Sequence, residues 1–240
     1  MQKFRTRRIL TPATAPILWR AGRIARMGGH PRPDTGVERF LFDKAQVMAA
    51  PIPKVASRTI QGMFETLNGR PDGWEVYLQP QAIRSRYQNY YIFSFVRNPW
   101  SRIYSCWKDK IADAVTPGKV SILSRFAGLR PFMPFDDFVR WLETPEGADD
   151  RADRHWMSQV RHLDDGAGGS FCDFVGRIEA LEDGFRAVEA ATGLTLPRSE
   201  QRNAKTRTEE YLSAYNDETK KIVARRYGAD IDRYNYRFEG

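Results

Sequence analysis

Acidic residues are absent from this chain before Asp34, and cysteine, histidine and long apolar runs are scarce throughout it. The two cysteines, Cys106 and Cys172, have no close spacing, so neither a disulfide framework nor a thiolate metal site is expected. No stretch approaches the ~20 apolar residues that span a bilayer, and the N-terminus has no continuous apolar leader core, so a cytoplasmic location is expected. A glycine-rich run ending in Gly-Lys-Ser/Thr is also missing, which argues against the Mg²⁺-dependent nucleotide loop of the Walker kinases. Basic residues are not interleaved with aromatic platforms, so nucleic acid is not an expected partner.

What is present is a chain of 240 residues, 41% hydrophobic and 12% aromatic, enough for one globular domain with a proper core. Its net charge of +8 is concentrated at one end. Lys3, Arg5, Arg7, Arg8, Arg20, Arg23, Arg26 and Arg32 all precede Asp34, and the remaining 30 basic residues balance the 30 acidic ones. The chain therefore divides into a basic N-terminal segment, residues 1–44, and a domain over residues 45–240. Within the segment, Pro16 to Met27 reads as a short amphipathic helix with Arg20, Arg23 and Arg26 on its polar side. Such a helix suits an anionic membrane surface, an anionic substrate, or docking on the domain with its arginines in water.

Along the domain, strands are expected near Val47 to Ile52, Trp74 to Leu78, Tyr91 to Val96 and Phe171 to Gly176. The run Tyr91-Ile92-Phe93-Ser94-Phe95-Val96 is β-rich and nearly all apolar, as for a strand covered on both faces. Helices are expected over Ser57 to Leu67, Pro99 to Ile111, Pro134 to Leu142, Glu179 to Ala191 and Asp217 to Arg226. This alternation predicts a three-layer α/β/α fold with a central, mainly parallel sheet, whose ligands sit at the carboxyl ends of strands. The stretches Ala112 to Met133 and Asp164 to Gly169 read as loops.

Two segments carry the chemistry. In Pro53-Lys54-Val55-Ala56-Ser57-Arg58-Thr59, small residues let backbone N–H groups close on an anion, a helix start adds positive dipole, and Lys54 adds a mobile charge. About forty residues later, Phe95-Val96-Arg97-Asn98-Pro99 leads into a helix with Arg102 and Ser105. Arg97 at the strand end and Ser105 two turns into the helix can close on a second phosphate. Two cradles suit a ligand phosphorylated at two separated places.

These segments resemble the sulfotransferases that use 3′-phosphoadenosine 5′-phosphosulfate (PAPS), especially the carbohydrate branch typified by chondroitin sulfotransferases of the Golgi (sulfotransferase family 2). His155-Trp156, Asp173 to Arg177, Glu179 to Glu182, and Tyr211, Tyr227, Asp230 and Tyr236-Arg237-Phe238 extend the resemblance, which runs from about Val47 to the C-terminus. It implies a P-loop-like sulfotransferase fold. It also implies a donor held by Lys54, Val55, Ala56, Ser57, Arg58 and Thr59 at the 5′-phosphosulfate and by Arg97 and Ser105 at the 3′-phosphate. The implied reaction moves a sulfuryl group to a hydroxyl of a carbohydrate, glycolipid or other alcohol, with no metal required. Arg58 departs from the family, which usually has a hydroxyl residue there, and the tryptophan that stacks on adenine in the cytosolic branch is missing.

The acceptor's proton needs a base. His155, preceded by Asp153 and followed by Trp156, is the candidate, with Glu65 on the loop helix as the alternative. A packed histidine that orients a loop is the plainer role for His155. A P-loop-type kinase and a non-catalytic nucleotide- or membrane-binding module remain the competing readings of the whole chain.

Overall fold

The computed structural model describes residues 37–69, 75–78, 80–113, 122–198 and 206–239. The expected helix over Pro16 to Met27 lies outside them. Among the described residues the sheet has five strands in the order β3-β1-β2-β4-β5, with β1 at Val37–Phe42, β2 at Val47–Ala49, β3 at Glu75–Leu78, β4 at Tyr91–Val96 and β5 at Phe174–Arg177. β1 runs antiparallel to both its neighbours, while β2, β4 and β5 pair in parallel. The mainly parallel α/β architecture is therefore as expected.

β1 lies ahead of the expected domain start at residue 45: residues 37–42, counted above with the basic segment 1–44, form an interior strand of the sheet. Arg39 is tolerated there because Nη2 donates to the backbone carbonyl of His162 and its guanidinium lies 5.3 Å from the Phe171 ring centre. β2 stops at Ala49, short of the expected Ile52. Pro51 and Pro53 supply no N–H to a ladder, so the strand ends and the chain turns toward Lys54.

Side-chain alternation along β4 shows the layering. Phe93 meets Phe64 of helix α1 (Ser57–Asn68) with ring centres 6.3 Å apart. Phe95, on the same face, meets Phe185 of a later helix (Leu181–Thr192) at 5.2 Å. Arg39 and its carbonyl partner His162 lie toward the opposite face, because Phe40, the next residue of β1, packs on Phe64. Phe95 fits only because two glycines face it. A Cβ on Gly176 would stand 2.6 Å from its ring, and one on Gly184 would collide with it.

The described residues form two apolar cores. One is built on the sheet from Phe40, Met48, Ile60, Phe64, Phe93, Phe95 and Phe185 among others. The other is helical. It gathers Trp100, Ile103 and Cys106 of the helix Pro99–Trp107, Phe138 and Trp141 of Phe135–Trp141, and Ile222 and Val223 of Asp217–Arg226. Numbering the helices in chain order, α2 is Pro80–Arg86, α3 Pro99–Trp107, α4 Phe135–Trp141, α5 Gln159–Leu163, α6 Leu181–Thr192, α7 Thr206–Ala214, α8 Asp217–Arg226 and α9 Gly228–Tyr234. The stretch read as a loop before Met133 contributes Leu123, Phe126 and Leu129 to the helical core despite its irregular backbone. α3 continues into one π-helical turn over Lys108–Ala112 instead of ending as an α-helix at Ile111.

Candidate functional site

The Pro53-Lys54 loop leaves β2 and opens α1, and its backbone has an unusual shape. Lys54 and Ala56 both have left-handed conformations, with φ of 70° and 49°. For residues with a Cβ this is strained, and alternating handedness turns successive N–H groups toward one side, the geometry of an anion nest. Ala56 is the N-cap of α1, no side chain among the described residues caps the helix, and its first turn holds no acid. A helix start of this kind can take an anion. Ser57 and Thr59 are half-buried at the helix start, while Arg58 is exposed.

Arg97 ties this loop to the end of β4. Its Nη1 donates to the Lys54 carbonyl at 3.2 Å, and Nε and Nη2 donate to Ser101 Oγ at 2.9 and 2.7 Å. The two sequence segments therefore meet directly. Ser101, one helical turn before Ser105, is the hydroxyl found against the guanidinium, and the sequence reading had passed it over. Ser105 lies half-buried on the same face of α3. Gln159 fixes the Arg97 backbone by accepting its N–H at 2.8 Å and donating Nε2 to its carbonyl at 2.9 Å. Gln159 is itself held by Asp230, whose carboxylate accepts the N–H groups of Gln159 and Val160 at the start of α5.

Arg102 is a brace. Nearly fully buried, it donates to the carbonyls of Pro53, Met157 and Arg154 at 3.2, 2.7 and 3.3 Å. One side chain thus fixes the Pro53-Lys54 loop and the turn that carries His155.

His155 sits on that turn. Its Nδ1 lies 2.5 Å from Asp153 Oδ1, which also accepts the His155 backbone N–H at 3.0 Å. Burial would raise the Asp153 pKa, but hydrogen bonds and charge from His155 outweigh it and hold the carboxyl below its usual range. An ionised carboxylate only accepts, so Nδ1 carries the proton and Nε2 is left as an acceptor. Burial lowers the His155 pKa, against the pull of Asp153 and with help from Lys110 and Arg154, so the ring is neutral near pH 7. Trp156, fully buried among Phe126, Phe138 and Trp141, anchors the turn in the helical core.

Lys54 reaches toward the same region. Nζ pairs with Asp109 Oδ2 at 3.1 Å, and Lys110 Nζ approaches the same oxygen at 3.2 Å. Burial draws the Lys54 ammonium below its ordinary value, opposed chiefly by Asp109. Asp109 and Lys110 both lie on the π-helical turn, a winding that recurs at functional sites because it re-aims side chains. Arg102 ties the Pro53 carbonyl beside Lys54 to the carbonyls of Arg154 and Met157 that flank His155, so the loop lysine and the histidine turn are held by one side chain. Glu65 is exposed on α1, in its third turn. Cys106, fully buried below Lys54 with its thiol pushed up to about 12 by burial, is inert packing. Among the described residues no group of His, Cys, Asp and Glu is placed to hold a metal, and no helix is long and apolar enough to cross a membrane.

The sequence family described as "Sulfotransferase family" matches residues 38–237. Human carbohydrate sulfotransferase 14 is 30% identical over 168 residues, 60% of this chain and 43% of that protein. Its mouse counterpart is 29% identical over a stretch of the same extent. The match spans less than half the length of these relatives. No solved structure matches the chain. With nearly all of the described fold, both anion segments and the His155 turn inside the matched range, the chain belongs to the sulfotransferase family.

Proposed function

We propose that this protein transfers a sulfuryl group from PAPS to a hydroxyl of a carbohydrate. The observation that supports the reading is the contact of Arg97 with the Lys54 carbonyl, which brings together two segments 43 residues apart. Family membership supports the transfer, and the relatives named as carbohydrate sulfotransferases support the acceptor class.

The residues divide the work. The N–H groups at the start of α1, with Ser57 and Thr59, hold the 5′ end of the donor, and Arg97 with Ser101 and Ser105 holds the 3′-phosphate. In the transfer, the acceptor oxygen bonds to sulfur as the bond from sulfur to the bridging oxygen breaks, and negative charge collects on that oxygen. Lys54 counters this charge, an interaction stronger in the transition state than in the ground state. His155 Nε2 takes the hydroxyl proton, and Asp153 holds the ring in the required tautomer and stabilises the imidazolium that forms.

Incubation with PAPS labelled in the sulfuryl group and a panel of polysaccharides and glycolipids tests the reading. Label should enter a carbohydrate without added Mg²⁺. Binding of PAPS without transfer to any hydroxyl compound would instead support the idle nucleotide-binding module.

A further inference from the structure

From the end of β4, Arg97, Ser101, Ser105 and Asp109 follow one another at four-residue intervals through α3 into the π-helical turn. Lys54 lies along this row. Its backbone carbonyl accepts from Arg97 at one end and its ammonium pairs with Asp109 at the other. Lys110 meets the same carboxylate oxygen, and both lysine side chains are only 17% exposed. Two ammonium groups therefore share a single carboxylate at the mouth of an anion site. A carboxylate there competes with any anionic ligand for Lys54 and repels it across a short distance.

We propose that Asp109 is a positioning residue of the donor site: it holds Lys54 in the empty enzyme and releases it to the incoming donor, while Lys110 stays on Asp109 and neutralises it. The proposal rests on reading the Lys54 loop as the donor site. The exchange replaces one ion pair by another, so donor affinity reports the difference between Lys54 on the ligand and Lys54 on Asp109. A carboxylate present only to stabilise the π-helical turn would leave donor affinity unchanged when neutralised.

The probe is adenosine 3′,5′-bisphosphate, titrated calorimetrically into the wild-type chain, Asp109→Asn, Lys54→Ala and the double variant. Asp109→Asn should bind it about fivefold more tightly, the scale of one partly exposed ion pair. In the Lys54→Ala background the same substitution should change affinity by less than about twofold, because the coupling runs through Lys54. If Asp109→Asn unfolds too readily to titrate, Asp109→Ser removes the charge with less demand on space and serves in its place. Unchanged or weaker binding in the neutralised variants overturns the proposal. So does equal tightening with and without Lys54, which would make Asp109 a distant charge only. Failure of the wild-type chain to bind the bisphosphate would instead overturn the donor-site reading beneath it.

Discussion

The two sides of the site are built by different rules. The loop from Pro53 to Thr59 is local: consecutive residues, two of them left-handed, make a nest at the start of α1. The turn carrying His155 is assembled from afar. Arg102 of α3 holds its carbonyls, Tyr227 Oη donates to the Trp156 carbonyl at 2.6 Å, and Asp149 accepts from both the N–H and the hydroxyl of Ser158. The local side carries the Lys54 ammonium, and the assembled side carries a histidine whose pKa is lowered by burial. One is anchored in the sheet core and the other in the helical core, with Arg97, Arg102 and Asp109 along the seam.

This contrast breaks most visibly on the loop side. Lys54→Ala should lower kcat about 10²- to 10³-fold even at saturating PAPS, the usual effect of removing one preorganised donor to a developing charge. Arg97→Ala should act mainly through donor binding, by roughly 2 to 5 kcal/mol. Steady-state kinetics with PAPS varied would separate them, and equal losses in kcat for both would merge roles that are assigned here to different ends of the donor. On the other side, His155→Ala should cost about 10²-fold in kcat and spare donor affinity. Near-normal turnover in that variant would leave His155 as packing and turn attention to Glu65.

The seam tests whether the two sides are one unit. Arg102→Leu removes the donor from the carbonyls of Pro53, Arg154 and Met157, each costing about 1–3 kcal/mol if left unpaired, so a loss of roughly 3 kcal/mol or more is expected. Urea unfolding measures it. Donor affinity and turnover should fall together in the same variant, since the loop and the turn share this brace.

The smallest expected effect is on pH. His162 is fully buried, its Nε2 donates to the Arg154 carbonyl at 3.0 Å, and Nδ1 has no partner among the described residues. Burial holds its pKa well below the ordinary value, with Arg102, Arg39 and His155 adding to the shift. A histidine depressed in the folded state stabilises fully above its unfolded value of about 6.5 and loses that contribution as pH falls toward the folded value. Stability should therefore drop below about pH 6.5, by up to about 1.4 kcal/mol per pH unit for each such proton. Urea midpoints at falling pH would check this, and His162→Asn should flatten the slope.

The same contrast explains what could be read from the sequence. The loop, β4 and Arg97 follow from neighbouring residues: prolines that end β2, a β-rich apolar run, and Pro99 opening α3 behind Asn98, whose side chain accepts from Trp100 and Ser101 N–H. Gln159 and Ser101 carried no local signal, because their roles depend on contacts with Arg97 that only the fold creates. Asp109 looked like an ordinary helical acid until the π-helical turn aimed it at Lys54. β1 was hidden because a buried arginine broke its pattern. Arg58 is exposed in the first turn of α1.

The central claim, that the two anion segments form one site for a doubly phosphorylated adenosine, is tested most directly by thermal unfolding with adenosine 3′,5′-bisphosphate in Mg²⁺-free buffer. Saturating ligand should raise the melting temperature, as expected of a ligand that binds only the folded state, and adenosine 5′-phosphate should do so far less, because Arg97 would have no 3′-phosphate to hold. Stabilisation by ATP with Mg²⁺ but not by the bisphosphate, or no response to either, would contradict it.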